Sequence, residues 1–326
     1  MTFEQELMRT RSAYFLDGWL KFNEEMWGYK AERVMYTLPG KDKPALEGVL
    51  YLTKNGKVRQ PPLNAYLPLQ FYPTPTEKNC QLYTQWMSVA KLLAEDIKKR
   101  GFVGNISFPP GFIDARCFQW LGFDVTLRYT FVVELPYAEE ILDASVRNKI
   151  KKAIKAGYTI EHSYSWNDVV YGLQKTASFK KFDKLWTPEM LKRCSNILDK
   201  YLLAYVAKSL DGTPVAAQIK LILPGGLCAC IGAGTDRMHI NSGVNQLLYY
   251  ESIKAVIAAG TKYFDFCGAN IEQVARAKAA WGFPLVPYMS LVDNSLPQLI
   301  KRNVAARIPM ARTAYHKLRR TLHNGN

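Results

Sequence analysis

Asp265 is the residue in this sequence whose surroundings most need a chemical explanation. It lies between Phe264 and Phe266 in a segment with the character of a β-strand, where burying a carboxylate is costly unless it is paired. The carboxylate could act as a base that takes a proton, or it could anchor a loop by accepting backbone hydrogen bonds. Asn270 and Arg276 follow in the next turn and helix, and each could contact a substrate or lie at the surface.

Other kinds of catalytic site find no support in the sequence. The four histidines show neither metal-ligand nor triad spacing, and the GxSxG elbow of a nucleophilic serine is missing. The six cysteines are scattered without CxxC pairs, which predicts reduced thiols and no metal. Cys228 and Cys230 lie two residues apart in a predicted strand, so we expect both to pack on one buried face.

The composition is that of an ordinary globular chain. Its 326 residues suffice for two domains, with 48% hydrophobic and 22% charged residues. No apolar run has the length of a membrane span, and the N-terminus lacks the order of a signal peptide. We therefore expect a cytoplasmic protein, either free or peripheral at the inner face of the membrane.

The formal net charge of +15 is large and unevenly distributed. Five Lys and Arg residues crowd positions 147–155, and seven lie in the segment 295–326, which contains no acid. Such clusters favour a phosphate-bearing partner, whether a nucleotide cofactor, RNA or anionic lipid. A merely solvated basic surface is the alternative.

An internal repeat organises the elements that must position these residues. A predicted helix with apolar residues every three or four positions ends at Gly101, and a short strand, a helix ending at Trp120, Gly122-Phe123 and an alternating strand follow. About 160 residues later the same order recurs, with Gly260, Trp281 and Gly282-Phe283 at the matching positions between elements. A self-match at a fixed period indicates a duplicated architecture.

Each copy is predicted to begin with antiparallel strands. The second copy has a three-strand meander over 202–209, 214–223 and 227–235, whereas the first shows a hairpin around Asn55-Gly56. The sequence thus predicts an α/β (α+β) protein of two tandem units, each a mixed, mostly antiparallel sheet flanked by helices. We place the units at 1–136 and 137–295, with a basic tail at 296–326.

This element order resembles the GNAT acyltransferase fold, and a tandem pair of such units resembles the FemABX-like group. That group includes peptidoglycan-bridge aminoacyltransferases and acetyltransferase-like proteins. The basic helix 147–153 with Gly157 is similar to the helix that opens the second unit in this group, and the stretch from Phe264 to Gly268, with Ala277-Lys278 and Trp281-Gly282, is similar to its closing strand and helix. The fold-level likeness covers roughly residues 30–292.

The resemblance implies direct transfer of an acyl or aminoacyl group from acyl-CoA or aminoacyl-tRNA to an amine of an amino sugar, peptide or cell-envelope precursor. No metal is required. In the layout of the family, strands 227–235 and 263–266 would part to admit the donor. The small residues Gly232 and Gly234 would leave room for its arm, or they could simply pack beneath a helix.

Two further roles are implied by position in the family pattern. Ser242 and Gly243 precede the helix whose free amides would bind the donor phosphates, yet the Q/RxxGxG/A loop of CoA-using enzymes is absent and Ser242 could be only a helix cap. Lys278 matches a lysine that steadies developing negative charge, as a cation near an oxyanion would. A solvated helix lysine is the alternative.

The first copy is altered where the second carries these residues. Pro109 and Pro110 occupy the matching turn and remove amide donors, so we expect this unit to have lost donor binding and to shape the acceptor side of the cleft. The run 61–72 resembles a segment near the cleft in related proteins, which makes Tyr66 and Tyr72 acceptor-site candidates, with core packing as the alternative.

The tail from Leu296 onward combines basic residues with apolar residues at helical spacing. It could lie on an anionic membrane surface, bind RNA such as tRNA, or form a solvated helix. A non-catalytic GNAT-fold binding or scaffold protein remains the alternative to an enzyme, because function resides in the site and not in the fold.

Overall fold

The computed structural model describes residues 2–180 and 186–295, with side chains for all of these except 176–180. The basic tail predicted from Leu296 onward lies outside the described residues. No helix within them is long and apolar enough to cross a bilayer.

The first half contains four α-helices and five strands in its described residues. The helices are α1 (Phe3–Arg9), α2 (Asp17–Trp27), α3 (Asn79–Arg100) and α4 (Arg116–Trp120). The strands are β1 (Lys30–Thr37), β2 (Pro44–Leu52), β3 (Leu69–Phe71), β4 (Ile106–Ser107) and β5 (Val125–Glu134).

The second half repeats the order, preceded by an additional basic helix and a short strand. The helices are α5 (Ala144–Lys155), α6 (Trp166–Lys180), α7 (Pro188–Leu198), α8 (Val244–Ala258) and α9 (Glu272–Ala279). The strands are β6 (Thr159–His162), β7 (Leu202–Lys208), β8 (Pro214–Leu221), β9 (Leu227–Thr235), β10 (Tyr263–Asp265) and β11 (Leu285–Leu291). The predicted α/β class with a large, mostly antiparallel sheet flanked by helices is confirmed.

The first meander differs in detail from the prediction. Asn55 and Gly56 do form a tight turn, in which Thr53 N donates to Lys57 O at 2.9 Å and Leu52 bridges Val58. However, β2 pairs along its length with β1, a strand that was not predicted. Most residues of β1 are exposed or half-buried, so it lacks the apolar alternation that marks a strand.

The two halves exchange their closing strands. The eight-stranded sheet has the order β4-β11-β5-β10-β9-β8-β7-β6, so β5 of the first half lies between β10 and β11 of the second, and β11 lies between β4 and β5. Met289 and Leu291 of β11 accordingly pack in the core of the first half, whereas Phe131 and Val133 of β5 pack in that of the second. The domain boundary at Pro136 stays a prediction, because a single sheet joins strands from both sides of it.

Helices cover both faces of the second half of this sheet. On one face α6 and α7 place Val169, Leu173 and Leu191 against Val206 and Ile219. On the other face α5 and α8 pack with the side chains of Cys228, Cys230 and Phe264, so both cysteines are buried in one cluster. The sheet is therefore the middle of three layers.

A lysine lies fully buried beneath α8. Lys220 of β8 is 0% exposed, and its Nζ donates to Gln218 Oε1 at 2.5 Å and to Ser252 Oγ at 2.6 Å. The rings of Tyr249 and Phe264 lie within 6 Å of the amine. Burial lowers the pKa of Lys220 below its ordinary value, because the charged form loses its hydration.

This burial makes the stability of the protein depend on pH in a specific way. Between the lowered pKa and the ordinary lysine value the unfolded chain binds the proton more tightly, so stability should rise with pH in that window. The variant Lys220→Met lacks the group. We expect the free energy of unfolding of the native protein to rise relative to K220M as the pH approaches 10, measured by urea unfolding. A difference that stays constant with pH would contradict the buried, easily deprotonated amine.

Candidate active site

The strands β9 and β10 part after three paired residues. Their parallel pairing ends with Asp265 opposite Ala229. β9 continues to Thr235 along β8, with a bulge between the pairs Lys220–Cys230 and Ile219–Gly232. The chain after Asp265 instead follows β5, where Ala269 N donates to Tyr129 O at 2.7 Å. A gap therefore opens between β9 and the segment 266–270, which we call the site turn.

Asp265 holds the site turn in place. Its side chain is fully buried, and Oδ1 accepts from Thr130 Oγ1 at 2.5 Å and from Cys267 N at 2.7 Å. Thr130 Oγ1 in turn accepts from Gly268 N at 2.9 Å. These bonds fix a turn in which Cys267 has φ of +55°, a conformation that L residues adopt only when the surroundings enforce it.

The other carboxyl oxygen of Asp265 faces the first half of the chain. Asp265 Oδ2 and Tyr66 Oη are both buried without a completed hydrogen bond among the described residues. The Tyr66 hydroxyl is nonetheless near enough to lower the pKa of Asp265, against a larger effect of burial that raises it. Tyr66 packs edge to face on Tyr288 at a ring separation of 4.9 Å. The carboxyl is thus held in an apolar, aromatic setting that favours its neutral form.

Lys278 closes the site turn from the following helix. Its Nζ donates to Phe266 O at 2.8 Å and to Gly268 O at 2.6 Å, and it lies 5.6 Å from the Phe266 ring centre. The side chain reaches back from α9 to the start of the turn. A half-buried ammonium is therefore fixed beside the point where β9 and β10 separate.

Asn270 is committed to the framework of the same turn. Its Oδ1 accepts from Tyr129 N at 3.0 Å, and its Nδ2 donates to Tyr129 O at 3.1 Å and to Tyr288 Oη at 3.2 Å. The amide thereby continues the ladder of β5 where β10 has ended. These hydrogen bonds tie the site turn to β5 and to Tyr288. A contact between Asn270 and a substrate stays a prediction.

Two other predicted substrate residues lie apart from this cluster. Arg276 is exposed on α9 and pairs with Glu272 at 2.8 Å. Tyr72 lies in the first half, where its Oη donates to Gln70 Oε1 at 2.5 Å and accepts from Arg11. Of the two predicted acceptor-site tyrosines, only Tyr66 is brought to Asp265.

The glycines of β9 are in contact with α6. A Cβ on Gly234 would lie 2.6 Å from Gly172 O, and one on Gly232 would lie 3.3 Å from Trp186 Nε1. Gly172 of α6 makes an equally close approach to Ala217. These distances support the packing alternative for Gly234, whereas Gly232 has more space around it.

The start of α8 is covered by α5. Gly243 has φ of +90°, and a Cβ there would lie 2.1 Å from Lys149 O. Ser242 Oγ accepts from Val244 N at 3.1 Å and donates to His239 O at 2.6 Å, as a capping residue does. Phosphate binding by these two residues stays a prediction.

Sequence reasoning missed several members of the buried cluster. Thr130 was treated only as an alternating strand residue, and Tyr14, whose Oη lies 3.9 Å from Cys267 Sγ, was not considered. Burial raises the pKa of the Cys267 thiol well above its usual range, which keeps it protonated. Thr130 lies in the strand that follows Gly122-Phe123 in the repeat, and that position was the one signal available from the sequence.

The contacts of Asp265 predict how its variants will behave. Asp265→Asn keeps an acceptor for Thr130 and Cys267, whereas Asp265→Ala leaves both donors buried and should cost about 1–3 kcal/mol of unfolding free energy. Because burial raises the folded-state pKa, the native protein should lose stability relative to D265N as the pH rises above 4. Urea unfolding at several pH values measures both effects. A D265A protein as stable as D265N would contradict the anchoring role.

Alanine substitutions at Gly232 and Gly234 of β9 form a matched pair of variants. Gly234→Ala should destabilise the protein by about 1–3 kcal/mol because α6 cannot move away cheaply, and Gly232→Ala should cost less. Thermal unfolding measures the difference. Both variants could instead unfold at the native temperature and bind the donor more weakly than the native protein does. In that case Gly234 leaves room for the donor and is not required for packing against α6.

Comparison with known proteins agrees with this geometry. Residues 144–273 match the model of the acetyltransferase (GNAT) domain family. A search of curated proteins finds no match.

Several solved structures share the fold over most of the chain. A crystal structure of FemX is 13% identical, with 92% of this chain and 98% of that chain covered and a TM-score of 0.60. A conserved protein of unknown function from Bacteroides thetaiotaomicron is 11% identical, with 89% and 95% covered and a TM-score of 0.52. The structure of L-PGS from Bacillus licheniformis is 13% identical, with 86% and 88% covered and a TM-score of 0.50.

At these identities the structural likeness concerns the fold, whereas the family match concerns the second half of the sequence. Together they confirm the predicted resemblance. Residues 144–273 match the acetyltransferase (GNAT) domain, and the chain as a whole shares its fold with FemX.

Proposed function

We propose that this protein transfers an acyl or aminoacyl group from an activated ester or thioester to an amine at the site turn. The observation that carries this proposal is the position of Lys278. Its ammonium is fixed by two backbone carbonyls beside the gap between β9 and the site turn. The GNAT domain match of residues 144–273 supports the reaction class.

The reaction requires no covalent enzyme intermediate. The lone pair of the acceptor amine attacks the donor carbonyl, and a C–N bond forms. The C–S bond of a thioester or the C–O bond of an aminoacyl ester then breaks, and the thiol or hydroxyl leaves with the proton lost by the amine. The tetrahedral oxyanion formed between these steps lies near Lys278, where a fixed cation stabilises it more than it stabilises the neutral carbonyl.

We assign Asp265 a positioning role in this reaction. Its carboxyl is fully buried and bonded to Thr130 and Cys267, so it shapes the turn that carries the carbonyls bound by Lys278. The proton of the amine is passed to the leaving group or to solvent. The buried carboxyl of Asp265 therefore takes no part in the proton transfer.

The surroundings of α5 favour a polyanionic donor such as aminoacyl-tRNA. Among the described residues, none of its five cationic side chains forms an ion pair with a carboxylate; they are Arg147, Lys149, Lys151, Lys152 and Lys155. The ammonium of Lys152 donates to Asn241 O at 3.0 Å, next to the start of α8. A cationic helix at the predicted phosphate end of the gap suits a nucleic acid backbone. Acyl-CoA remains the alternative donor.

The acceptor amine would approach from the side of the first half. Tyr66 of that half packs on Tyr288 beside Asp265, and the turn of the first copy carries Pro109 and Pro110 in place of a donor site. We propose an amine on an amino sugar, a peptide or a cell-envelope precursor. The alternative is a binding or scaffold protein that binds a donor or acceptor of this kind without catalysing transfer.

A transfer assay separates the enzyme from the scaffold. The full chain is incubated with a labelled aminoacyl-tRNA mixture, or with a panel of acyl-CoA esters, and with amino sugars and short peptides as acceptors. Mass spectrometry should show an amide product that is absent without protein. If aminoacyl-tRNA is the donor, its retention on the protein should also fall steeply with salt. Retention of a donor without any amide product would support the binding protein.

Lys278 provides the sharpest test of the site. Lys278→Ala should lower kcat by roughly tenfold or more, because the oxyanion loses a fixed cation, while donor affinity changes little. Lys254→Ala is the control, since Lys254 is exposed and pairs with Glu251 at 3.0 Å. Thermal unfolding of both variants checks that the turn remains folded. A K278A enzyme with the native kcat would remove Lys278 from the reaction.

A further inference from the structure

Arg128 is a half-buried cation without a hydrogen-bond or ion-pair partner among the residues that the structure describes. It lies in the middle of β5, opposite Tyr288 of β11, where the two closing strands meet. Its Nε is buried and has no hydrogen-bond partner, and its guanidinium forms no hydrogen bond or ion pair with any residue in the described ranges. A guanidinium is always charged, so burying it unpaired is unfavourable.

The groups beside Arg128 also have unused hydrogen-bonding capacity. Tyr288 Oη accepts from Asn270 Nδ2 at 3.2 Å, and its own proton has no acceptor among the described side chains and backbone. Arg128 acts on this hydroxyl directly: its charge lowers the pKa of Tyr288, against the larger effect of burial, which raises it. A guanidinium and a hydroxyl donor thus lie side by side.

The carboxyl group on the same face does not neutralise Arg128. Arg128 shares this face of β5 with Thr130, which binds Asp265. Asp265 Oδ1 accepts from Thr130 and Cys267, and burial favours the neutral form of the acid. The positive charge of Arg128 is therefore available to a ligand.

The geometry points to a binding site for an oxyanion, and we propose that Arg128 and Tyr288 bind a carboxylate or phosphate group of the acceptor. Arginine presents parallel N–H groups that match two oxygens of either anion, and the Tyr288 hydroxyl would donate to one of them. The assignment of this anion to the acceptor rests on the proposed function. The anion would lie beside Asn270, so the acceptor is held next to the site turn.

The position also explains why this site is formed at the junction of the two halves. Arg128 and Tyr288 occupy equivalent places in the two copies of the repeat and meet only because the closing strands are exchanged. Neither half supplies both donors.

Binding of simple anions tests the proposal without any donor or activity. The full chain is titrated with acetate and, separately, with inorganic phosphate at constant ionic strength, and binding is followed by NMR line broadening of the anion. We expect at least one of the two to bind, and Arg128→Gln to weaken its binding by about tenfold or more. The anion that binds more tightly identifies a carboxylate or a phosphate as the natural group.

Three variants make the result interpretable. Arg116→Gln, which removes an exposed guanidinium paired with Asp114 at 2.7 Å, should bind anions like the native protein. Arg128→Lys keeps the charge but loses the fork, and Tyr288→Phe removes the hydroxyl, so both should weaken binding less than R128Q does. If R128Q fails to fold, R128K carries the test.

Failure of this proposal can be told apart from failure of the proposed function. The proposal is overturned if the native protein binds neither anion, or if R128Q and R128K bind as tightly as R116Q. In that case an intact transfer activity would leave the proposed function standing. Conversely, anion binding that depends on Arg128 would persist even if no acyl transfer were found.

Discussion

The antiparallel pairing of β5 with β11 is the interaction on which the rest of the structure depends. Seven residue pairs, from Leu285–Phe131 to Leu291–Val125, join the closing strands of the two halves. Each strand then pairs on its other edge with a strand of the opposite half. Neither half can complete its sheet alone, so we regard the duplication as one folding unit.

The shape of the site turn depends on this exchange of the closing strands. β5 belongs to the first half, yet it supplies Thr130, which binds Asp265, and the backbone groups of Tyr129 that are bound by Asn270 and Ala269. The second half alone would lack these partners. The buried carboxyl and the unusual backbone conformation at Cys267 are held in place because Thr130 of the neighbouring strand binds both Asp265 Oδ1 and Gly268 N.

The two copies of the repeat are unequal for a physical reason. In the second copy the chain after β10 keeps its amides, and four of them donate hydrogen bonds: Phe266 N, Cys267 N, Gly268 N and Ala269 N. In the first copy Pro109 and Pro110 have no N–H to offer, and Phe108 and Phe112 are buried in the core. The first turn is therefore packed as a structural corner, whereas the second carries polar groups to the gap.

Much of the architecture could be predicted from sequence, because the repeat is marked by residues with strong local preferences. Gly101 and Gly260 end helices, and Gly122 and Gly282 follow the helices that end near Trp120 and Trp281; all four have positive φ. The exchange of the closing strands could not be predicted in this way, because β5 and β11 show the same alternation of side chains whichever strand they pair with. β1 was missed because it is an edge strand whose residues are mostly exposed or half-buried.

The candidate site was predicted less completely than the fold. The unusual place of Asp265 was visible from its two phenylalanine neighbours, but its partner Thr130 is distant in sequence and comes from the other half. Gly234 was assigned to the donor because it is small, and Gly243 because it precedes the helix whose amides would bind the donor phosphates. Only the structure shows how closely α6 and α5 approach them. That Arg128 has no partner in the described part of the chain depends on which side chains surround it in the fold, and no local sequence pattern reveals this.

We propose that the donor enters the gap between β9 and the site turn. Hydrogen–deuterium exchange of the full chain, with and without aminoacyl-tRNA or acetyl-CoA, tests this most directly. We expect one of these donors to protect the amides of residues 230–235 and 266–270. Protection confined to the corresponding turn of the first half, or no protection by either donor, would contradict it.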